Sequence, residues 1–478
     1  MTSKKGTVMS RTYALGALLP LLMLASGTVA AGTASAAAAN KVIDGCTIVS
    51  NPSPTNYTNC PGNNFPGGRL ESVNLSYANL AGANFTTADT LNANFTGANL
   101  TGADFFQADT RTPGGFNLTD ANLTNADLSG ATLIDVVLTG AILTGANLTG
   151  VVPGGIVGAP ASLPPNWQLI AGYLIGPTTN LAGDDLSDVD LSGSDLAGAN
   201  VVYADGNGTD FTGTDLAGAL LNGADLTGAD ATGANLTGAT FVDTILTGTI
   251  LAGSTLTSAY SGGITGTPAS LPANWLIISG YLMGPGANLT YADLTDTDLS
   301  GADLAGADLN GVISGGITGP PATFPANWVL AGGFLVGPGT DLANADLDSL
   351  PLNGDDLANA DLTGAQLSGT GLSGAALSGV FSGGITGTPA SLPAKWRLVA
   401  GYLVGPGADL TTANLLKANL KGLDLAGADL AGANLKGANL INADLTGATL
   451  TDVIWNNTKC PDGTNSNNDG DTCMNNLG

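Results

Sequence analysis

Along most of the chain Leu or Phe returns at every fifth position, and a small residue, usually Ala, stands two places before it. Examples are Ala83-Asn84-Phe85, Ala98-Asn99-Leu100, Ala224-Asp225-Leu226, Ala428-Asp429-Leu430 and Ala443-Asp444-Leu445. A period of five matches neither the alternation of a strand nor the turn of a helix, so each unit is about three extended residues followed by a bend. Within Ala-Asp-Leu the Ala and Leu point one way and the Asp the other, while the Thr-Gly or Ser-Gly that follows supplies turn residues. Helix fails on propensity, because Gly, Thr, Asn and Asp would fill most positions outside the apolar stripe. Disorder fails as well: low complexity and net charge favour it, but a recurring large apolar residue is what a repeated core needs.

The tandem A(D/N)LxG motif, followed from Leu75 to Trp455, resembles the pentapeptide repeat family. The resemblance implies an all-β fold, a right-handed quadrilateral β-helix with four pentapeptides per coil, the central Leu or Phe and the small residue before it filling the interior. Coils stacked at strand spacing, about 4.8 Å, give a rod about 60 Å long. The tail Cys460-Pro461-Asp462-Gly463-Thr464 is similar to the closing segment of exported bacterial members.

The ends differ from the middle. Lys4, Lys5 and Arg11 precede an apolar stretch from Ala14 to Ala25 and then small residues including Ala34-Ser35-Ala36. This reads as an export signal over residues 1–39, cleaved near Ala36 to Ala39, and it is too short for a membrane span of about twenty residues. The mature chain is expected outside the cytoplasm, secreted or cell-wall associated, with no membrane attachment. Cys46 and Cys60 lie before the repeats, Cys460 and Cys473 after them. Because a disulfide needs Cα atoms within about 7 Å and the rod separates the two ends, the expected pairs are Cys46–Cys60 and Cys460–Cys473. They close an N-terminal cap over 40–69 and a C-terminal cap over 456–478, covering exposed core and unpaired backbone at each end.

Acidic residues outnumber basic ones by 26, and nearly all are Asp. Most stand at the outward position just before the central Leu, so carboxylates mixed with Asn stack in ladders that repel nucleic acid and anionic lipid. Such a coat keeps a β-rich rod soluble. Some members of the family the chain resembles mimic B-form DNA and bind DNA gyrase, a type II topoisomerase; the export signal argues against that role here.

A second, longer repeat interrupts the first. Residues 154–180, 262–288, 315–341 and 383–409 follow GGIxGxPAxxPxxWxLxxGxLxGP, and they divide the pentapeptide helix into 70–153, 181–261, 289–314, 342–382 and 410–455. The central Leu residues flanking each insert are always 33 apart, so each insert preserves register. WxLxxGYL has strand character around a small-residue break and predicts a β-hairpin standing off the coil. Sixteen, five and eight centres separate successive inserts, which puts the first two on one side of a four-sided coil and the last two on the neighbouring side. Val152, Tyr260, Ile313 and Phe381 stand where an outward Asp or Asn belongs. Trp167, Trp275, Trp328 and Trp396, or apolar residues beside them, are expected to cover these positions. The alternative is that these Trp, with Tyr173, Tyr281, Phe334 and Tyr402, form aromatic surfaces for a polysaccharide or a partner protein.

Chemistry has little to work with. There is no His, Glu occurs once, and Lys and Arg are few, so acid–base and nucleophile constellations could come only from Asp. The adjacent pairs Asp184-Asp185 and Asp355-Asp356 read as ladder positions beside a substituted Ala. Asn465-Ser466-Asn467-Asn468-Asp469-Gly470 is similar to half of a calcium loop, but Asn476 stands where the bidentate Glu belongs. No CxxC or Cys/His set forms a zinc site, and a three-residue register shift at Arg111 to Gly115 reads as a simple loop. The sequence therefore points to a non-enzymatic, cofactor-free rod that presents surfaces, with no catalytic or metal residues and its partner and oligomeric state open.

Overall fold

The computed structural model describes residues 40–476 apart from 66, 68, 91, 92, 107 and 109–116. The export signal expected over 1–39 and the loop expected at Arg111 to Gly115 lie outside the described residues.

The chain winds as a right-handed quadrilateral β-helix. Each outward residue pairs in parallel with the one 20 positions on, as in Asn59 with Asn79 and then Asn99, or Asp190 with Asp210 and then Asp230. Three bonds per pentapeptide join the coils: Leu181 N–H donates to Asn200 O at 2.7 Å, Gly183 N–H to Val202 O at 2.9 Å and Asn200 N–H to Thr179 O at 2.9 Å. Between Asn94 and Asn117 the interval lengthens to 23, so three extra residues are taken up there without loss of pairing.

Four inward rows of side chains leave no lumen. Leu181, Leu186, Leu191 and Leu196 are fully buried, as are the small residues beside them such as Ala199. Near the N-terminus the rows are aromatic: Phe65, Phe85 and Phe105 stack with ring centroids 5.1 and 4.6 Å apart, and Phe95 meets Phe85 edge-on. Facing rings on successive coils add packing beyond the area they bury.

Each outward Asp or Asn also builds the turn that follows it. Its Oδ1 accepts the backbone N–H two residues on, as Asn94 does from Thr96 at 2.9 Å and Asp190 from Ser192 at 3.0 Å, and the Thr or Ser hydroxyl often donates to the same oxygen. The Asp and Asn preference therefore fixes backbone geometry as well as keeping the rod soluble.

At the N-terminal end Lys41–Ile43 and Cys46–Ile48 pair antiparallel and place Ile43 and Ile48 over the first coil. Disulfides Cys46–Cys60 and Cys460–Cys473 close the two ends, with Cα–Cα separations of 5.9 and 5.4 Å. Cys460, Cys473 and Trp455 are buried at the C-terminal end of the core.

The inserts do not stand off the coil. Their first halves keep winding: Val157 pairs with Val137 and Ser162 with Ile142, as do Thr265, Ser270, Thr318, Thr323, Thr386 and Ser391 with the residues 20 before them. Eight residues then form a hairpin. Its strands are Gln168–Ile170 with Tyr173–Ile175, Leu276–Ile278 with Tyr281–Met283, Val329–Ala331 with Phe334–Val336, and Arg397–Val399 with Tyr402–Val404.

Instead of projecting, the hairpin lies across the tube. Leu174 and Ile175 are fully buried, like Leu282, Met283, Leu335, Val336, Leu403 and Val404. The tip carbonyls of Gly172, Gly280, Gly333 and Gly401 accept the N–H groups of Ile156, Ile264, Ile317 and Ile385. Room comes from the central inward position of the coil below, where Ser261, Ser314 and Ser382 replace Leu and accept, through Oγ, the N–H of Leu282, Leu335 and Leu403 at 2.8–3.0 Å.

The ladder crosses each hairpin on one face. There the pairing interval is 28, joining Tyr260 to Asn288, Ile313 to Asp341 and Phe381 to Asp409; at the first insert Asn180 N–H donates to Val151 O. Among the described residues no bridge joins Val157 to Asp185 or Ser162 to Asp190, or their counterparts at the other inserts. Pro160, Pro268, Pro321 and Pro389 occupy the turn position whose N–H in a plain coil reaches the next one, as Gly193 does to Thr212. A residue without an N–H suits a coil with nothing above it.

Candidate binding surfaces at the inserts and along the faces

The stacks define the faces. One runs through Asn180, Asn200, Leu220, Thr240, Tyr260, Asn288 and Asp308, the next through Asp185, Asp205, Asp225, Ile245 and Thr265. The first two inserts rejoin the helix on the former. The last two rejoin on the neighbouring face, through Asp293, Ile313 in one stack and Asp341, Asp361, Phe381, Asp409 in its continuation.

The four tryptophans do not cover the apolar outward residues. Each packs inside its own insert, over Gly176, Gly284, Gly337 or Gly405, where a Cβ would fall 2.2–2.3 Å from the indole. Trp275, Trp328 and Trp396 are 8, 7 and 4% exposed, and Trp167 is half-buried, so the indoles offer little surface to a ligand. The reason is local. A turn bonds each Trp N–H to the Pro carbonyl three residues back, and the left-handed residue before it (Asn166, Asn274, Asn327 or Lys395) swings the ring inward. Asn166, Asn327 and Lys395 then reach Asp195, Asp356 and Asp424 in the coil above, at 2.9, 3.1 and 2.6 Å. The Lys395 ammonium holds the Asp424 carboxyl below its ordinary range.

Tyr173, Tyr281, Phe334 and Tyr402 lie at the surface, each half-buried against Gly154, Gly262, Gly315 or Gly383 of the coil below. Tyr281 and Tyr402 hydroxyls accept the N–H groups of Asp293 and Asn414 at 3.2 and 3.0 Å. Tyr173 instead donates to the carbonyl of Asp185 at 3.2 Å. Around Tyr402 the coil and hairpin leave a shallow groove of about 300 Å³ lined by Thr363, Phe381, Gly383, Thr411 and Ala413. Ile313 and Phe381 remain 42 and 38% exposed.

The adjacent carboxylates are separate features. Asp184 takes the inward small position held by Ala292, Ala345 and Ala413 at the other inserts. Its Oδ2 is buried without a partner, and burial pushes its carboxyl up to about 6. Burial also raises Asp355, whereas the hydroxyl and N–H of Ser187 lower Asp185. Beside the first pair stands Tyr173, whose hydroxyl donates to the Asp185 backbone carbonyl and whose pKa is raised by burial and then by the two carboxylates. In the C-terminal loop Asn465 caps the short turn Ser466–Asn468, and Asn476 donates to Asp469. Those polar atoms serve the loop itself, and among the described residues no group of three or more His, Cys, Asp or Glu side chains could hold a metal ion.

Two features were missed in the sequence. Tyr203 and Tyr291 occupy left-handed turn positions, φ 58° each, and are 74 and 73% exposed; the signal was Tyr where the repeat carries Gly. The other is the run of uncharged outward residues from Asn180 through Asn200, Leu220, Thr240 and Tyr260 to Asn288, which requires the 20-residue stacking to be known.

The model of the pentapeptide repeats matches residues 58–109, 117–152, 185–257, 286–313, 352–381 and 406–452, more than half of the chain. The chain belongs to the pentapeptide repeat family. Solved structures similar to it include HetL, a pentapeptide repeat protein involved in heterocyst differentiation regulation from the cyanobacterium Nostoc sp. strain PCC 7120. It is 18% identical over 85% of this chain and 91% of that one, with a TM-score of 0.10. Rfr23 from the cyanobacterium Cyanothece 51142 is 31% identical over 21% of this chain and 87% of its own, with a TM-score of 0.14. QnrB1, a plasmid-mediated fluoroquinolone resistance protein, is 14% identical over 44% and 91%, with a TM-score of 0.12. No curated protein matches. Pentapeptide repeat proteins are typically structural or binding proteins.

Proposed function

We propose that this pentapeptide repeat protein is an exported, non-enzymatic scaffold whose faces and inserts present binding surfaces outside the cytoplasm, secreted or held at the cell wall. The observation that carries the reading is the pair of end-sealing disulfides on a chain that begins with a cationic, then apolar leader. Disulfides persist where the environment is oxidising. The rod supports display because its faces differ in chemistry while its backbone is held by the same ladder throughout. A protein partner at the aromatic inserts fits this role, and a cell-wall polysaccharide is the alternative ligand.

Fractionation tests it: mature protein lacking residues 1–39, with both disulfides closed, is expected in the medium or wall. Full-length reduced protein in the cytoplasm would overturn it and favour the DNA-mimicking topoisomerase inhibitor, whose own readout is loss of DNA supercoiling activity.

A further inference from the structure

Resting on the scaffold reading, one strip of the rod differs from everything around it. Between the first two inserts the outward residues of one face are Asn180, Asn200, Leu220, Thr240 and Tyr260, continued by Asn288 beyond the second hairpin. None carries a charge. The faces on either side carry Asp185, Asp205 and Asp225, and Asp195 and Asp215. One carboxylate reaches its edge, the exposed turn residue Asp243, so on this acidic rod a neutral ligand has far fewer acids to desolvate here than on the flanking faces.

Two tyrosines stand along the edge of this strip. Tyr203 and Tyr291 lie flat on the turn glycines of the next coil, Gly223 and Gly311, where an added Cβ would fall 2.3 and 2.5 Å from the ring. One ring face is thus pressed on backbone and the other is open, consistent with their exposures of 74 and 73%. Four coil steps separate them, about 19 Å at strand spacing. Leu220, 40% exposed, and half-buried Tyr260 lie between. The Asn180 and Asn200 amides stack, Nδ2 to Oδ1 at 3.0 Å, and add planar hydrogen-bonding groups beside the rings.

We infer that this face binds a neutral, extended β-1,4-linked glycan lying along the rod axis, with sugar rings stacked on Tyr203 and Tyr291. Pyranose rings present flat C–H faces to aromatic rings and hydroxyls to amides, and the rise per sugar of such a ribbon is close to the coil spacing of about 4.8 Å. An anionic polysaccharide is repelled by the flanking Asp ladders. A second copy of this chain would bring those ladders together, so self-association is the less favoured occupant.

The test uses the disulfide-intact mature chain with cellohexaose and chitohexaose by calorimetry, and with a negatively charged control, polygalacturonate. Binding to at least one neutral hexasaccharide is expected, weakened at least tenfold by the double change Tyr203→Ala and Tyr291→Ala and left unchanged by Tyr77→Ala, a turn tyrosine on another edge. Placing an acid on the strip, Thr240→Asp, is expected to weaken binding too. No binding to either hexasaccharide, equal binding by the double variant, or a concentration-dependent dimer that the double variant abolishes would each overturn the inference. If glycan binding fails while the chain still fractionates outside the cytoplasm, this inference alone falls; cytoplasmic full-length protein removes the scaffold reading beneath it.

Discussion

At the residue scale the most informative position is Asp184, because three copies of the same insert show what stands there otherwise: Ala292, Ala345 and Ala413. Burial raises its carboxyl to about 6 from 3.8. A raised carboxyl pKa means the folded state holds the proton more tightly than the unfolded chain, so stability falls as pH rises through this window and is lowest above it. Asp184→Ala is therefore expected to stabilise the protein at pH 7.5, by about 1–2 kcal/mol after discounting for the group's partial exposure, and to change it little near pH 4. Urea unfolding at the two pH values measures this, and equal effects at both would contradict it. Outward acids such as Asp190 have the opposite sign, since the Ser192 hydroxyl and N–H hold that carboxyl low and its contribution is lost only on acidification. Phe334 makes a second case. Tyr281 and Tyr402 accept the N–H groups of Asp293 and Asn414, twelve residues on, and Phe334, with Asp346 at the same interval, has no hydroxyl to offer. Phe334→Tyr is expected to add about 0.5–1.5 kcal/mol in the same assay.

At the scale of the element, the pentapeptide coil was legible in full and the hairpin only in part. The beat of Leu181, Leu186 and Leu191 reports directly which side chains face inward, since one face of each short strand is buried. The insert's strands were legible from WxLxxGYL, and its side of the rod from the count of centres, because register survives each insert. That the hairpin lies inside the tube was not legible as read. The signals were Ser261, Ser314 and Ser382 in place of Leu, and a proline at each turn that would otherwise donate upward. Both make sense only once the neighbouring coil is known to be displaced. The Trp placement failed for the same reason: an apolar outward residue such as Phe381 suggests a cover, but the indole's nearest partner is a glycine nine residues on in its own hairpin, and a missing Cβ is hard to distinguish among so many turn glycines. Gly284→Ala is accordingly expected to be severe, since its Cβ would fall 2.2 Å from Trp275 Cδ2; a loss of roughly 2–4 kcal/mol fits such overpacking against a buried ring. Gly301→Ala, with open space around it but at a left-handed turn (φ 80°) that Gly284 does not share, carries only the backbone cost of about 1 kcal/mol. Thermal unfolding of the two variants separates the contributions, and similar losses would show that the indole does not sit on Gly284.

At the scale of the whole molecule, the four hairpins turn a continuous rod into five helical blocks joined on one face each. Within a block every coil is bonded above and below; at a joint the ladder continues only through pairs such as Tyr260 with Asn288. The coils before the first two joints compensate locally. Their outward residues change from Asp and Asn to Val137, Ile142, Val152 and Val157, or to Ile245, Ile250 and Thr255, β-branched types that favour extended backbone without help from a coil above. Because each block contacts only its neighbours, openings should be confined to joints instead of spreading along the rod. Amide exchange resolves this. Asp190 and Asp298, first coils above a joint, lack the downward bond that Asp210 N–H makes to Val189 O, so their amides should exchange at least about tenfold faster than Asp210. The joints continue on one face for the first pair and on the adjacent face for the second, so bending at the two pairs lies in planes about a right angle apart, as the four-sided coil dictates. Trp275→Ala removes the ring that seals the second joint and should speed exchange at Asp293 and Asp298 while leaving Asp190 and Asn419 at the other joints unchanged. Uniform acceleration along the rod would mean that the blocks unfold together and that the hairpins are decoration on one cooperative helix.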